Sequence, residues 1–351
     1  MSRKAKALLA ISMGDPAGIG PEVILRAAAT IARRRGGPAL AVMGDVGVMR
    51  AAAGRMRGVP RPYEWRQDDG APASNGEGIA VLSLGRLGEA AMKPGRPTVE
   101  GADAAYRYIV AGARMAMAAE ADALVTAPIN KHWLNRAGHR FPGHSELLAR
   151  LSRAPLWRMM FAGDELRLAL VTAHIGVARV SRALSVHNVF DTIRLLAQHL
   201  RERLGIQRPR LAVLGLNPHA GENGLFGDEE IRVIAPAIRR ARRAGINAFG
   251  PVAPDTAFIR PAGRFGFDAA VAMYHDQGLI ALKTLEFDRA VNVTLGLPFV
   301  RTSPDHGTAY DIAGSGTANA ASMTAAIEYA WRAAMGGARD VPAQRALART
   351  A

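Results

Sequence analysis

The chain contains no cysteine and only five lysines, and it has no long apolar run. Without cysteine there are no disulfides, thiolate nucleophiles or cysteine-based zinc sites, so His, Asp and Glu are left as protein ligands for a metal. This is compatible with a cytoplasmic setting. No apolar segment approaches the roughly 20 residues that a membrane span needs. The basic start MSRKAK leads into a run of only Ala7 to Met13 that stops at Gly-Asp-Pro. It ends at no small-residue cleavage site, and it reads as a first strand.

The five lysines stand against 40 arginines, and the formal charge is +15. Such a balance raises the question of phosphate-backbone binding. The arginines, however, are scattered along amphipathic runs such as AIRRARRAG (237–245), the pattern of a solvated helix face, so no nucleic-acid partner is expected. The lysines are more informative. Lys131 lies in TAPINK and Lys283 shortly after a strand end, positions where a compact ammonium suits a site.

At 351 residues the chain is long enough for two domains. Short Val/Ile/Leu/Ala runs alternate with longer helical patterns, the signature of βαβ units and a mostly parallel sheet. Strands are expected at 7–12, 39–43, 79–84, 123–126, 166–172, 211–216, 269–274 and 291–295, and helices at 102–118, 186–204 and 229–244. The polar, Gly/Pro-rich stretch Pro60 to Gly78 reads as a surface excursion.

Four strand-to-helix junctions carry polar residues that a plain turn does not require: TAPINK (126–131), VTAHIG (171–176), NPHAGENG (217–224) and YHDQG (274–278). In an open parallel sheet, residues past the carboxyl ends of strands converge on one crevice. His174, His219 and His275 thus hold equivalent places in three units. Each alone is readily structural, but three together suit a divalent metal with an open position. Asp276, Asp255 (in APDTAF) and Glu222 are carboxylates that could fix the imidazole tautomers.

MGDPAGIGPE (13–22) is a strand, a glycine turn and a helix start, with Val23 where the dinucleotide fingerprint has its third glycine. Gly18 and Gly20 still permit close approach to the backbone. FPGHSELL (141–148) puts His144 and Ser145 at a helix start. Asn292 and Arg301 flank an apolar turn in a long polar segment, where a guanidinium is shaped for phosphate or carboxylate.

Taken in order, GDPAGIGPE, TAPINK, GHSE, LNPHAGE, YHDQGL and NVTLGLPFVRTSPDHGTA followed by DIAG resemble the 4-hydroxythreonine-4-phosphate dehydrogenase (PdxA) family over essentially the whole chain. The resemblance implies an α/β, two-domain fold like that of isocitrate and isopropylmalate dehydrogenases. One domain comprises 1–125 plus 305–351 on the cofactor side; the other, 126–304, holds the metal site and dimer interface. It further implies a homodimer whose active site is shared between subunits, NAD or NADP as cofactor, and a divalent metal (zinc, magnesium or cobalt) on His174, His219 and His275. His144, Ser145, Lys283, Asn292 and Arg301 then bind a small anionic substrate, and Gly18, Gly20, His306, Gly307 and Asp311 the cofactor. Lys283, Asp276 and Asp255 become candidates for catalysis. The implied reaction is oxidation and decarboxylation of a β-hydroxy acid, 4-hydroxythreonine 4-phosphate becoming 3-amino-2-oxopropyl phosphate on the route to pyridoxal phosphate. Two departures stand out: Ser145 replaces the usual Thr, and His174 is followed by Ile-Gly-Val in place of Ile-Pro-Leu. The alternative within the family is a dehydrogenase for terephthalate cis-dihydrodiol or for 4-phospho-threonate or erythronate.

Overall fold

The computed structural model describes residues 6–72, 76–260 and 263–336. Residues 337–351, expected to belong with the first domain, and Lys4 lie outside the described residues.

Among the described residues, twelve strands form one continuous sheet. They are β1 (Leu8–Ser12), β2 (Ala39–Gly44), β3 (Arg61–Glu64), β4 (Gly78–Ser83), β5 (Ala123–Thr126) and β6 (Arg158–Ala162), then β7 (Arg167–Leu170), β8 (Leu211–Leu214), β9 (Ala248–Val252), β10 (Ala269–Ala272), β11 (Val291–Leu295) and β12 (Val300–Pro304). Their spatial order is β3-β4-β2-β1-β5-β12-β11-β6-β7-β10-β8-β9. The first six positions are mutually parallel, and so are the last four. Between them β11 is antiparallel to both β12 and β6, and β6 is antiparallel to β7. A four-strand antiparallel strip therefore welds two parallel halves.

The expected parallel α/β class is what the structure contains. Buried strands such as LLAIS and LAVL are apolar runs because helices cover both faces. The helix expected at 186–204 has those bounds, since the Ser185 side chain accepts from Asn188 N at 3.1 Å and Gly205 ends it in the left-handed region at φ 72°. The helix Ala321–Ala334 carries the chain back onto β12, β5 and the helix Gly20–Ala32.

Several expectations are corrected. The excursion at 60–78 contains an edge strand, β3, in which Pro62 is tolerated because an edge position needs no ladder donor there. The strands β6, β9 and β12 were not anticipated. β9 (AFGPV) carries a Gly-Pro pair that only an edge strand accommodates. β12 (VRTSP) alternates polar side chains that turn out to face a cavity. The run expected as a helix from 229 opens as a π-helical turn over Glu230–Ile234 before the α-helix Ala235–Arg243.

Gly18 and Gly20 are explained by packing. A Cβ on Gly20 would lie 2.3 Å from the Met13 carbonyl oxygen, and one on Gly18 2.9 Å from that of Thr308. Gly307, by contrast, has nothing within 4 Å of the corresponding point. Gly20→Ala is expected to cost about 2 kcal/mol of stability in denaturant melts, and Gly307→Ala to leave stability unchanged. Equal effects of the two would contradict this packing.

Candidate active site

The antiparallel strip forms the floor of a cavity of about 340 Å³. In a strand alternate side chains share a face. Asn292 of β11 stands opposite Ser303 of β12 and Phe161 of β6, and one step along, Thr294 stands opposite Met159. Asn292, Phe161, Met159, Ser303 and Arg301 all line the cavity. The floor is thus the face of antiparallel strands, and the strand ends supply the walls.

Arg301 is 2% exposed. Its Nη1 donates to Thr294 Oγ1 at 3.0 Å and its Nη2 to Thr126 Oγ1 at 2.6 Å, while Nε has no partner. Burial lowers its pKa to about 9, opposed by the charge of Glu146. Ser145, also buried, pairs with Thr294 Oγ1 at 3.0 Å, so one threonine aligns both predicted substrate ligands. His144 presents a buried Nε2 without a partner. Burial first, then the cations Arg301 and Lys131, holds its pKa well below the usual histidine value, which favours the neutral ring.

His174 and His275 meet over this floor with ring centroids 6.2 Å apart. The pKa of His174 is lowered by burial and then by Lys131, which favours the neutral imidazole that a metal needs. His275 Nδ1 lies 2.6 Å from Asp276 Oδ1, as expected for a carboxylate fixing a tautomer, and this leaves Nε2 free. These two imidazoles have the donor chemistry a divalent cation takes, and within one chain they are a pair rather than a full ligand set. Lys131 lines the cavity, and Lys283 Nζ stands 3.0 Å from Asp305 Oδ2 beside His275.

Not every expected residue arrives. His219 lies on a turn whose residues 219–223 all have positive φ, with its ring 6.1 Å from Phe226, and it does not line the cavity. Asp255 sits on the short helix Pro254–Ala257 past the edge strand β9, also away from the cavity. Among the described residues, no group of three His, Cys, Asp or Glu is close enough to hold a metal within one chain.

The two segments assigned to the cofactor do meet. Ile19 N donates to Thr308 O at 3.0 Å, Tyr310 Oη donates to Asp15 Oδ2 at 2.6 Å, and Glu22 accepts from Gly314 N and Gly316 N. Burial raises the pKa of Asp15. His306 and Gly307 line the cavity next to this junction, and Asp311 is exposed on the same segment.

Sequence reasoning missed Thr126, Thr294 and Asp305 as partners of the expected residues. Thr126 opens the TAPINK motif, and the alternation of β11 places Asn292 and Thr294 on one face. That second signal needs β12 to be recognised as its neighbour.

Residues 38–330 match the model of the family described as pyridoxal phosphate biosynthetic protein PdxA. A 4-hydroxythreonine-4-phosphate dehydrogenase of Geobacter metallireducens is 49% identical over 330 residues, covering 92% of this chain and 94% of the relative. The crystal structure of 4-hydroxythreonine-4-phosphate dehydrogenase from Klebsiella pneumoniae is similar with a TM-score of 0.84 at 38% identity, covering 95% of this chain and 99% of that one. A terephthalate 1,2-cis-dihydrodiol dehydrogenase from Burkholderia xenovorans is similar at a TM-score of 0.67 and 29% identity, over 93% of this chain and 98% of that one. The fold is the isocitrate/isopropylmalate dehydrogenase-like one of these neighbours. With its family motifs matched from the first half of the chain to the last helix, the protein belongs to the PdxA family.

Proposed function

We propose that this chain is an NAD(P)-dependent, divalent-metal-dependent dehydrogenase that oxidises and decarboxylates 4-hydroxythreonine 4-phosphate to 3-amino-2-oxopropyl phosphate. The observation that carries this reading is Arg301, a buried guanidinium aligned by two hydroxyls and with no carboxylate bonded to it. A phosphate is the shape and charge such a fork accepts. His144 Nε2 and the Asn292 amide lie on the same cavity wall, free to bond the substrate's polar groups. The 49% identical relative of the same name supports this substrate over the aromatic diol, whose dehydrogenase is 29% identical.

When bound, the nicotinamide supplies a hydride acceptor and the metal a Lewis acid. His174 and His275 would hold the metal together with His219. Lys283, beside His275 and paired with Asp305, offers a proton-bearing nitrogen toward the carboxylate end of the substrate. The phosphate end rests on Arg301, Ser145 and His144. His306 and Gly307 border the cofactor side. The substrate is thereby stretched between a rigid anion site and the histidines, which places its secondary alcohol at the metal side. The alcohol carbon would give its hydride to bound NAD(P) and the hydroxyl its proton to a base; the resulting β-keto acid loses CO2, and Lys283 would return a proton to the carbon left behind.

The histidine set is completed, in this proposal, by a second copy of the chain. Apolar side chains stand exposed on each histidine-bearing segment: Val177 after β7 (71% exposed), Leu225 and Phe226 beside His219, and Ile280 (68%) on the helix that begins at His275. Exposed apolar residues clustered around one site mark an interface.

Two measurements check this. Purified protein is given NAD and each candidate substrate, with NADH formation followed. Turnover is expected with the phosphorylated hydroxythreonine, and Arg301→Met is expected to raise KM by about 10- to 100-fold, the worth of a charge-assisted contact, without lowering the apo melting temperature. Turnover confined to the aromatic diol would reject the reading. Light scattering is expected to find a dimer for the parent chain and a monomer without metal-dependent turnover for Ile280→Arg; a fully active parent monomer would contradict the shared site.

A further inference from the structure

The three histidine-bearing strand ends lie side by side, because β10 pairs with β7 on one side and β8 on the other. One chain of hydrogen bonds crosses all three. Thr172, two residues before His174, donates to Met273 O from its backbone N at 3.1 Å and from Oγ1 at 2.7 Å. Met273 N, two residues before His275, donates to Gln277 Oε1 at 2.7 Å. Gln277 Nε2 donates to Gly215 O at 2.6 Å. Past Gly215, Leu216 N and Asn217 N donate to Oε1 of the buried Glu230 at 2.6 and 2.8 Å. His219 follows immediately, on the left-handed turn.

Gln277 is the side chain that ties the His275 junction to the His219 junction, as Thr172 Oγ1 ties the His174 junction to the His275 one. Its orientation is not free: one neighbour is an N–H and the other a carbonyl, so only one placement of the amide satisfies both. A carboxylate at this position would keep the bond from Met273 N and set an oxygen against Gly215 O. A leucine would leave both groups unpaired.

We propose that Gln277 is a positioning residue, which fixes the spacing between the junction that carries His275 and the junction that carries His219. Through Met273 the same spacing reaches His174. This inference rests on the proposal that these histidines hold a divalent metal. Outer hydrogen-bond partners that orient metal-binding side chains are typically worth 10- to 100-fold in affinity.

The test uses full-length protein stripped by a chelator and titrated with Zn²⁺ or Mn²⁺ alone in a calorimeter, for the parent chain, Gln277→Glu, Gln277→Leu, Thr172→Val and the control His219→Ala. Both Gln277 variants are expected to keep the parent far-UV spectrum and to lose about 10- to 100-fold in metal affinity. In the assay kcat is expected to fall, while KM for the phosphorylated substrate stays within about twofold, since Arg301, Ser145 and His144 are untouched. Thr172→Val is expected to show a smaller loss of the same kind. Parent metal affinity in folded Gln277→Glu, with only the melting temperature lowered, would reduce Gln277 to a structural residue and overturn the inference alone. Should both Gln277 variants fail to fold, Thr172→Val decides: unchanged metal affinity and kcat overturn it. A parent chain that binds no divalent metal overturns the functional reading itself, and the inference with it.

Discussion

Arg301 is a cation withdrawn almost wholly from water and held by hydroxyl groups. Hydroxyl oxygens can aim a guanidinium, but they do not cancel its charge, and taking an ion out of water costs several kcal/mol unless an anion offsets it. Of the nearby acids, Asp305 is paired with Lys283 and Asp276 with His275, and Glu146 offsets part of the charge from the cavity lining without being bonded to Arg301. The guanidinium therefore keeps a charge at the bottom of the cavity that a bound anion would offset. Ser145, Thr294, Thr126 and His144 are arranged about that charge. None of them contributes a formal negative charge. A buried charge left in this way costs stability, and functional sites commonly carry such a cost.

That charge can be buried only because of the antiparallel strip. A parallel strand would bring its ends to the site. An antiparallel strip between two parallel halves brings its face, and alternate residues of β12, β11 and β6 then form a continuous surface. Arg301 can point up from this surface and still be covered. The helix Ala321–Ala334 packs behind the strip, and Thr302, the inward neighbour of Arg301, is anchored to it by a hydrogen bond of 2.9 Å to Ala326 O. One face of β12 thus belongs to the core and the other to chemistry.

This division explains how much of the molecule could be read from its residues. The central parallel strands were legible, because strands buried on both faces are apolar runs, whereas the edge strands β3 and β9 were not. Of the strip, β11 and β7 were legible, but β12, β6 and the antiparallel pairing were not. In β12 the polar alternation Arg301-Thr302-Ser303 looks like a loop unless its neighbours are known, and β6 is preceded by Pro155 and Trp157 and begins with an arginine. Residues carried by distinctive motifs, such as His144, His174, His275 and Arg301, could be picked out, and they line one cavity. Their partners Thr126 and Thr294 were harder, since a threonine in a strand is ordinary and its role appears only with the register. Gly18 and Gly20 were visible, but what faces them was not: the turn is filled by Thr308, Met13 and Ala127 of the chain itself. His219 shows the same limit. Its motif was plain, whereas the five-residue left-handed turn that carries it away from the cavity was not foreseeable from spacing.

Recognition and reaction consequently have different mechanical supports. The proposed anion site is built on a sheet face within one chain, with Arg301 held by Thr294 of the strip and Thr126 of β5, and Ser145 bonded to the same Thr294. His174 and His219 stand on turns past β7 and β8 and His275 at the start of the helix past β10, beside exposed apolar side chains, and His219 does not line the cavity that the other two share. A sheet face can hold a charged end with side chains of one chain, whereas junctions flanked by exposed apolar side chains are suited to being covered. The lacing of Thr172, Met273, Gln277 and Gly215 limits how far the three junctions can drift apart, but it does not bring His219 to the cavity. On the proposed reading, the anionic end of the substrate would bind to side chains of one chain, whereas the histidine set would need a second copy to be complete.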